Sequence, residues 1–311
     1  MPLAFCGFGE VTLGSEERSK KEEQADTLIK HANMLAEVGR YQESYDKRKE
    51  AFSLLIEVYG EYHSKFPNIL FDLGSTAAIL KKHDESLRYK LQAEKLYKLL
   101  EAEEPVNLAR IQNNIGITLV DLGRYEEALD YYKNSLKLSK KFDIPYETAR
   151  VLTNIGKALR RLQRYEEALE FTMEALEIRK EVTTGKSVEV SDTLESIGVI
   201  YFYLQDQEKS IEFHEEALNM RREIYGEKHN SIARALNNIG ISLERLGRRE
   251  EALRYKMEAL EMKKKLLGNR HPDLLSNLNS TIYTLKKMNR FAEADILNKQ
   301  MLEIKLAMAG L

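Results

Sequence analysis

A single cysteine, Cys6, stands in 311 residues, so no intrachain disulfide can form, and no Cys/His cluster has zinc-site spacing. That suits a reducing compartment, and the cytoplasm is the expected location. Proline (5 residues) and glycine (16) are scarce and tryptophan is absent. With abundant Leu, Ala, Glu, Lys and Arg, this scarcity argues for an all-helical chain. No stretch approaches the roughly 18–20 uninterrupted apolar residues of a membrane-spanning helix. The opening MPLAFCGFGEVTLG lacks the positive start of a secretory signal; residues 1–23 are expected to form a poorly ordered leader. A formal net charge of −2 gives no global attraction to nucleic acid or to an acidic membrane. Neither is an expected partner, and any binding charge must be local. The hydrophobic content of 43% is enough to bury a core.

What is present is repetition. NNIGITLVDLGRYEEALDYY (113–132), TNIGKALRRLQRYEEALEFT (153–172) and NNIGISLERLGRREEALRYK (237–256) are copies of one segment, and four weaker copies accompany them. Alignment places Ala32, Gly74, Gly116, Gly156, Gly198, Gly240 and Ile282 in one column, at steps of 42, 42, 40, 42, 42 and 42. Small residues recur 12 positions later at Ser44, Ser86, Ala128, Ala168, Ser210, Ala252 and Ala294. A third column holds Ala51, Ala93, Ser135, Ala175, Ala217, Ala259 and Met301. Between the first two columns, LGRY-type segments supply a turn, then Glu-rich residues that suit a helix N-terminus. Small residues at matched points of two helices predict an antiparallel pair packed on the next pair. Seven such repeats start near 25, 67, 109, 149, 191, 233 and 275 and fill residues 24–311.

Residues that recur without packing value carry the functional argument. Arg150, Asn154, Lys157 and Arg161 fall within about 60° of one another on a helix, forming a polar stripe beside the apolar one. Asn114, Asn154 and Asn238 share one column, flanked by Asn113 and Asn237; Arg110, Arg150 and Arg234 share another one turn earlier. Arg160 and Arg245 add charge, and Phe202, Tyr203 and Tyr283 add aromatic surface. A carboxamide matches a peptide bond as donor and acceptor at once, and arginine forks suit carboxylates. The plainer reading is a solvated helix face, with Phe202 and Tyr203 partly packed on the neighbouring hairpin.

Catalysis and metal binding find no support. His63, His229 and His271 recur once per repeat in the connecting loops, which cannot gather several ligands around one ion; loop packing or capping is the expectation. The pairs Glu126/Glu127, Glu166/Glu167 and Glu250/Glu251 sit in the first turn of a second helix, where negative charge favours the dipole. No GxSxG, HExxH or EF-hand loop occurs. Neither an enzyme, a metal nor a cofactor is expected.

The order of small residue, turn, Ala and Ala resembles the tetratricopeptide repeat. The segments YGEYHSKFPNIL, YGEKHNSIARAL and LGNRHPDLLSNL are similar to those joining the 42-residue repeats of kinesin light chains. The 40-residue step ending in LSKKFDIPYETARVL is more similar to a G-protein-regulator type of repeat. SEERSKKEEQ is too short for the heptad coiled coil of kinesin light chains, and no GxxxxGK[ST] nucleotide-binding loop is present. The resemblance implies a right-handed α-solenoid whose first helices line a concave groove. The stripe residues would face that groove, with the column Asn gripping a ligand's main chain. The function implied is a protein-interaction adaptor that binds an extended, acidic segment of a partner protein. Two alternatives stand beside it. One is a sensing or scaffold segment of a signalling protein that binds folded partners. The other is a solenoid that self-associates through its apolar C-terminal end, MLEIKLAMAGL.

Overall fold

The computed structural model describes residues 14–60, 62–100, 105–183 and 186–309. Among them are fourteen helices and no strand: α1 (Ser15–Glu37), α2 (Tyr41–Tyr59), α3 (Phe66–Ile79), α4 (His83–Leu99), α5 (Pro105–Asp121), α6 (Tyr125–Lys141), α7 (Pro145–Arg161), α8 (Tyr165–Val182), α9 (Val188–Tyr203), α10 (Gln207–Tyr225), α11 (Asn230–Arg245), α12 (Arg249–Leu267), α13 (Leu274–Lys287) and α14 (Phe291–Met308). They form seven hairpins in chain order. α1 opens well ahead of residue 24, so residues 15–23, expected in the leader, are helical; residues 1–13 of that leader lie outside the described residues. The chain divides into two compact units, Met1–Glu147 and Thr148–Leu311, and α7 crosses the division.

Each hairpin turns through one residue in the left-handed region. Gly39, Lys81, Gly123, Gln163, Gln205, Gly247 and Asn289 have φ between 57° and 78°. The next amide reaches back five residues, as Arg40 does to the Leu35 carbonyl at 2.8 Å, so the orphan carbonyls of the helix end are satisfied. Glycine occupies only three of these seven positions; the tertiary hairpin imposes the conformation on the rest. The following arginine then forks onto the glutamate three residues on. Arg40–Glu43, Arg124–Glu127, Arg164–Glu167, Arg248–Glu251 and Arg290–Glu293 all do so at 2.5–2.7 Å. The 40-residue step has its own turn, with Asp143 at φ 50° and the Ile144 amide bonded to the Ser139 carbonyl. α7 can then begin at Pro145, a residue suited to a helix start.

The small columns are the crossing points. Ser or Ala of the second column is fully buried in every hairpin, and so is the third column except Met301. A Cβ on Gly74, Gly156 or Gly240 would lie 3.1–3.2 Å from the carbonyl 12 residues later. A Cβ in this column would also collide with the side chain 16 residues later, lying 2.8 Å from Lys90 Cγ if built on Gly74 and 2.7 Å from the His214 ring if built on Gly198. The missing side chain makes room for that residue to cross beneath. Arg48, Lys90, Tyr132, Thr172, His214 and Lys256 occupy this column, all buried.

Several of these buried polar groups tie one hairpin to the next. Arg48 donates to Thr76 Oγ1 at 2.6 Å, Lys90 to Thr118 Oγ1 at 2.8 Å, and Lys256 to Thr284 Oγ1 at 2.8 Å. Burial lowers the Lys90 proton affinity to about 8, against a smaller opposing pull from Asp121. Apolar packing supplies the bulk of cohesion: Ile232, Leu236, Ile239 and Leu243 of α11, for example, form one core with Leu218 and Ala259. The loop histidines pack as expected. His63 stacks on Tyr59 at 3.7 Å and His229 on Tyr225 at 3.9 Å, while His229 caps α11 through the Ser231 amide.

Candidate functional site

In the second unit the first helices of successive hairpins, α9, α11 and α13, touch directly. Their exposed sides, with that of the α7 residues in this unit, carry most of the stripe. Lys157 and Arg161 are exposed, and Arg150, Asn154 and Arg160 are half-buried. The protein packed around Lys157 lowers its proton affinity; Asp192 opposes this, and Arg179 and Arg160 add to it.

Two of the three aromatic positions, Phe202 and Tyr203, come together in one cluster. Tyr203 stacks on Tyr165 at 5.1 Å with the rings 6° from parallel, and Phe202 meets Tyr203 edge-on at 5.6 Å. The Arg160 guanidinium lies 6.0 Å from the Tyr203 ring and that of Arg245 5.4 Å from the Phe202 ring. Tyr203 keeps 43% of its surface exposed, so the cluster is packed and accessible together. Tyr165 escaped the sequence reading because it opens a second helix. Tyr283 is 54% exposed, with Lys287 over its ring at 5.4 Å.

The Arg–Asn columns resolve differently in each hairpin. Arg234, which in sequence matches Arg110 and Arg150, forks onto Glu195 of the preceding hairpin at 2.7 Å through both Nε and Nη2. Asn238 donates to the same carboxylate at 3.2 Å, and Arg221 of α10 donates to it at 2.5 Å and to Asp192 at 2.6 Å. Burial works to raise the Glu195 carboxyl, yet the two guanidiniums hold it below the usual carboxylate range. The expected cationic echo at Arg234 is therefore already neutralised, whereas Arg245, the other stripe arginine of α11, forms no salt bridge among the described residues. Asn237 accepts from Ser280 Oγ at 2.7 Å, which links α11 to α13. Neither Glu195 nor Arg221 was singled out from sequence. The available signal was an acid among apolar residues of α9 and a basic residue recurring at Arg179, Arg221 and Lys263 on second helices.

In the first unit Arg110 is exposed and Asn114 half-buried, with its amide donating to the Arg110 carbonyl at 2.8 Å. Asn113 is fully buried, which corrects the expectation that it assists a ligand: it lies on the packed side of α5, beyond reach from solvent. Among the described residues no group of three or more His, Cys, Asp or Glu side chains could hold a metal. No helix among them is long and apolar enough to cross a membrane.

A family model for the tetratricopeptide repeat matches residues 107–181 and 189–265. No curated protein matches the chain by sequence. Among solved structures, the apo form of RapI is similar at a TM-score of 0.73 and 17% identity, over 92% of this chain and 99% of that one. A Rap protein complexed with Competence and Sporulation Factor is similar at 0.63 and 18%, over 95% and 79%. A kinesin light chain-type protein of Podosopora anserina with nearly identical TPR-like repeats is similar at 0.58 and 15%, over 66% and 98%. At such identities the likeness is one of fold. Residues 107–181 and 189–265 are tetratricopeptide repeats, set in an all-α repeat solenoid of the kind seen in Rap proteins and kinesin light chain-like chains.

Proposed function

We propose that the chain is a non-catalytic adaptor that holds an extended, acidic segment of a partner protein against its first helices. One observation carries this reading. The five turn arginines are each forked onto a glutamate, whereas Lys157, Arg160, Arg161 and Arg245 form no salt bridge among the described residues, Asp192 and Glu195 acting on Lys157 only through space. Cations left open in this way, with Arg160 and Arg245 beside aromatic rings, favour Asp, Glu or a chain terminus. The half-buried carboxamide of Asn154 would hold the segment's main chain. The similar Rap protein complexed with Competence and Sporulation Factor is a precedent for a bound partner on this fold. Many modest contacts of this kind weaken with salt.

The test is titration of a dye-labelled Glu-rich decapeptide, against its Ser-rich counterpart, at two ionic strengths. Wild-type protein should favour the acidic peptide and lose that preference in high salt. Asn154→Ala with Arg161→Glu should weaken it by about tenfold or more. Equal affinity for both peptides, or no effect of the double substitution, removes the reading.

One observation favours self-association instead. Leu302 on α14 is 56% exposed, whereas its repeat equivalents Leu176, Leu218 and Leu260 are 4% exposed or less under the next first helix. If a second copy covers this face, light scattering should give a dimer for the full chain and a monomer for Leu302→Glu. Monomers in both cases would dispose of it.

A further inference from the structure

The first unit holds a cavity whose lining residues are the repeat counterparts of the ion cluster in the second unit. Between α3, α4 and α5 lies a space of about 210 Å³ lined by Asn68, Phe71, Asp72, Tyr97, Asn107 and Arg110. A shift by the step from Gly74 to Gly198 turns Asn68 into Asp192, Phe71 into Glu195, Tyr97 into Arg221 and Arg110 into Arg234. Those four counterparts are the ion cluster of the second unit, where Glu195 occupies the space between helices and accepts from Arg221, Arg234 and Asn238. In the first unit Phe71 cannot accept. The Tyr97 hydroxyl donates to Asn68 Oδ1 at 3.3 Å. The Arg110 guanidinium has no ion-pair partner among the described residues.

Asp72 stands where the second unit has Ser196, and adds a carboxylate to the cavity wall. It is half-buried, and Arg48 and Arg110 act on it through space without bonding to it. The cavity thus offers a donor fork and an acceptor side by side. A carboxylate guest would suit Arg110 but press against Asp72. An ammonium guest would suit Asp72 but face Arg110 and Arg48. A primary carboxamide gives its oxygen to the first and its N–H to the second, with no net charge to bury.

We propose that this cavity is a specificity subsite for the carboxamide of a glutamine side chain on a bound polypeptide. The assignment stands apart from the cations of the second unit, and either can fail without the other.

The test uses the full chain with labelled isoleucine δ-methyls, because Ile111 also lines the cavity. The probes are glutamine, glutamate and lysine, each N-acetylated and closed as the methylamide. The glutamine probe should move the Ile111 signal with an affinity about tenfold above the other two. Asp72→Asn should admit the glutamate probe and reverse that order, and Arg110→Met should weaken both. Phe71→Glu supplies the carboxylate that the second unit uses, and should abolish the glutamine response while leaving distant methyl signals in place. Equal binding of the three probes, a wild-type preference for glutamate or lysine, or an Ile111 signal that never moves would each overturn the subsite. So would an unchanged order of glutamine over glutamate in Asp72→Asn.

Discussion

Replacing Glu195 by alanine should destabilise the second unit by about 3 kcal/mol. The figure follows from what the carboxylate leaves behind. Glu195 is 8% exposed and accepts four hydrogen bonds, three of them from guanidinium groups. Arg234 is more than half exposed and can turn to water, but the Arg221 side chain is only 1% exposed. Removing one partner of a buried pair costs about 3–5 kcal/mol, since the other charge stays behind unpaired. Arg221 would keep Asp192 at 2.6 Å, a carboxylate open to solvent and partly screened, which places the cost at the low end of that range. Glu195→Leu with Arg221→Met removes both charges and should recover most of the loss. Because the folded carboxyl is held below its ordinary value of 4.5, its contribution is complete above that pH and is lost as pH falls through the lowered value. The alanine penalty should therefore shrink in acid. Urea midpoints measure the total, and hydrogen exchange across α9 to α12 locates it, which matters in an array that need not unfold as one. A penalty under about 1 kcal/mol at neutral pH, or a double variant as unstable as the single one, would refute the reasoning.

Gly116→Ala should cost about 1–3 kcal/mol and lower the melting temperature by several degrees, since the new methyl would overlap the ring of Tyr132, which is 2% exposed; an unchanged melt would show that the ring moves aside freely. His214, 1% exposed, is held to about 4 chiefly by burial, with Glu195 raising it and Arg221 lowering it. The unfolded chain therefore takes up this proton first, and stability should fall as pH drops from about 6.5 toward 4, by up to about 3 kcal/mol. His214→Gln should flatten the stability profile between roughly pH 6.5 and 4.5, and a slope equal to that of the wild type would assign the loss to other groups.

The hairpins were legible in the sequence because their determinants lie within one repeat. A small residue at the crossing, a turn, and a glutamate-rich start recur at one spacing, and each acts on helices adjacent in the chain. The periodic stripe was legible for the same reason, as was the structural role of the loop histidines. What the glycine column accommodates was read only in part. It admits a close helix, but its tightest neighbour is a polar side chain 16 residues later that crosses toward the next hairpin. The availability of the stripe was not legible at all. Arg110 and Arg234 stand in one column with the same Asn four residues on. One lines a cavity and the other is locked onto Glu195. Asn113 and Asn237 are equivalent in sequence, yet Asn113 is buried and Asn237 bonds Ser280.

By itself, then, the order of residues determined that the chain is a stack of helical hairpins and which side chains share a helix face, since both depend on spacing along the backbone. Tertiary structure alone decided which of those side chains remain open to a ligand. A charge is neutralised by whatever packs within about 3 Å of it, and here that neighbour comes from another repeat, some forty residues away, where a glutamate and a phenylalanine at equivalent positions leave one site closed and the other open.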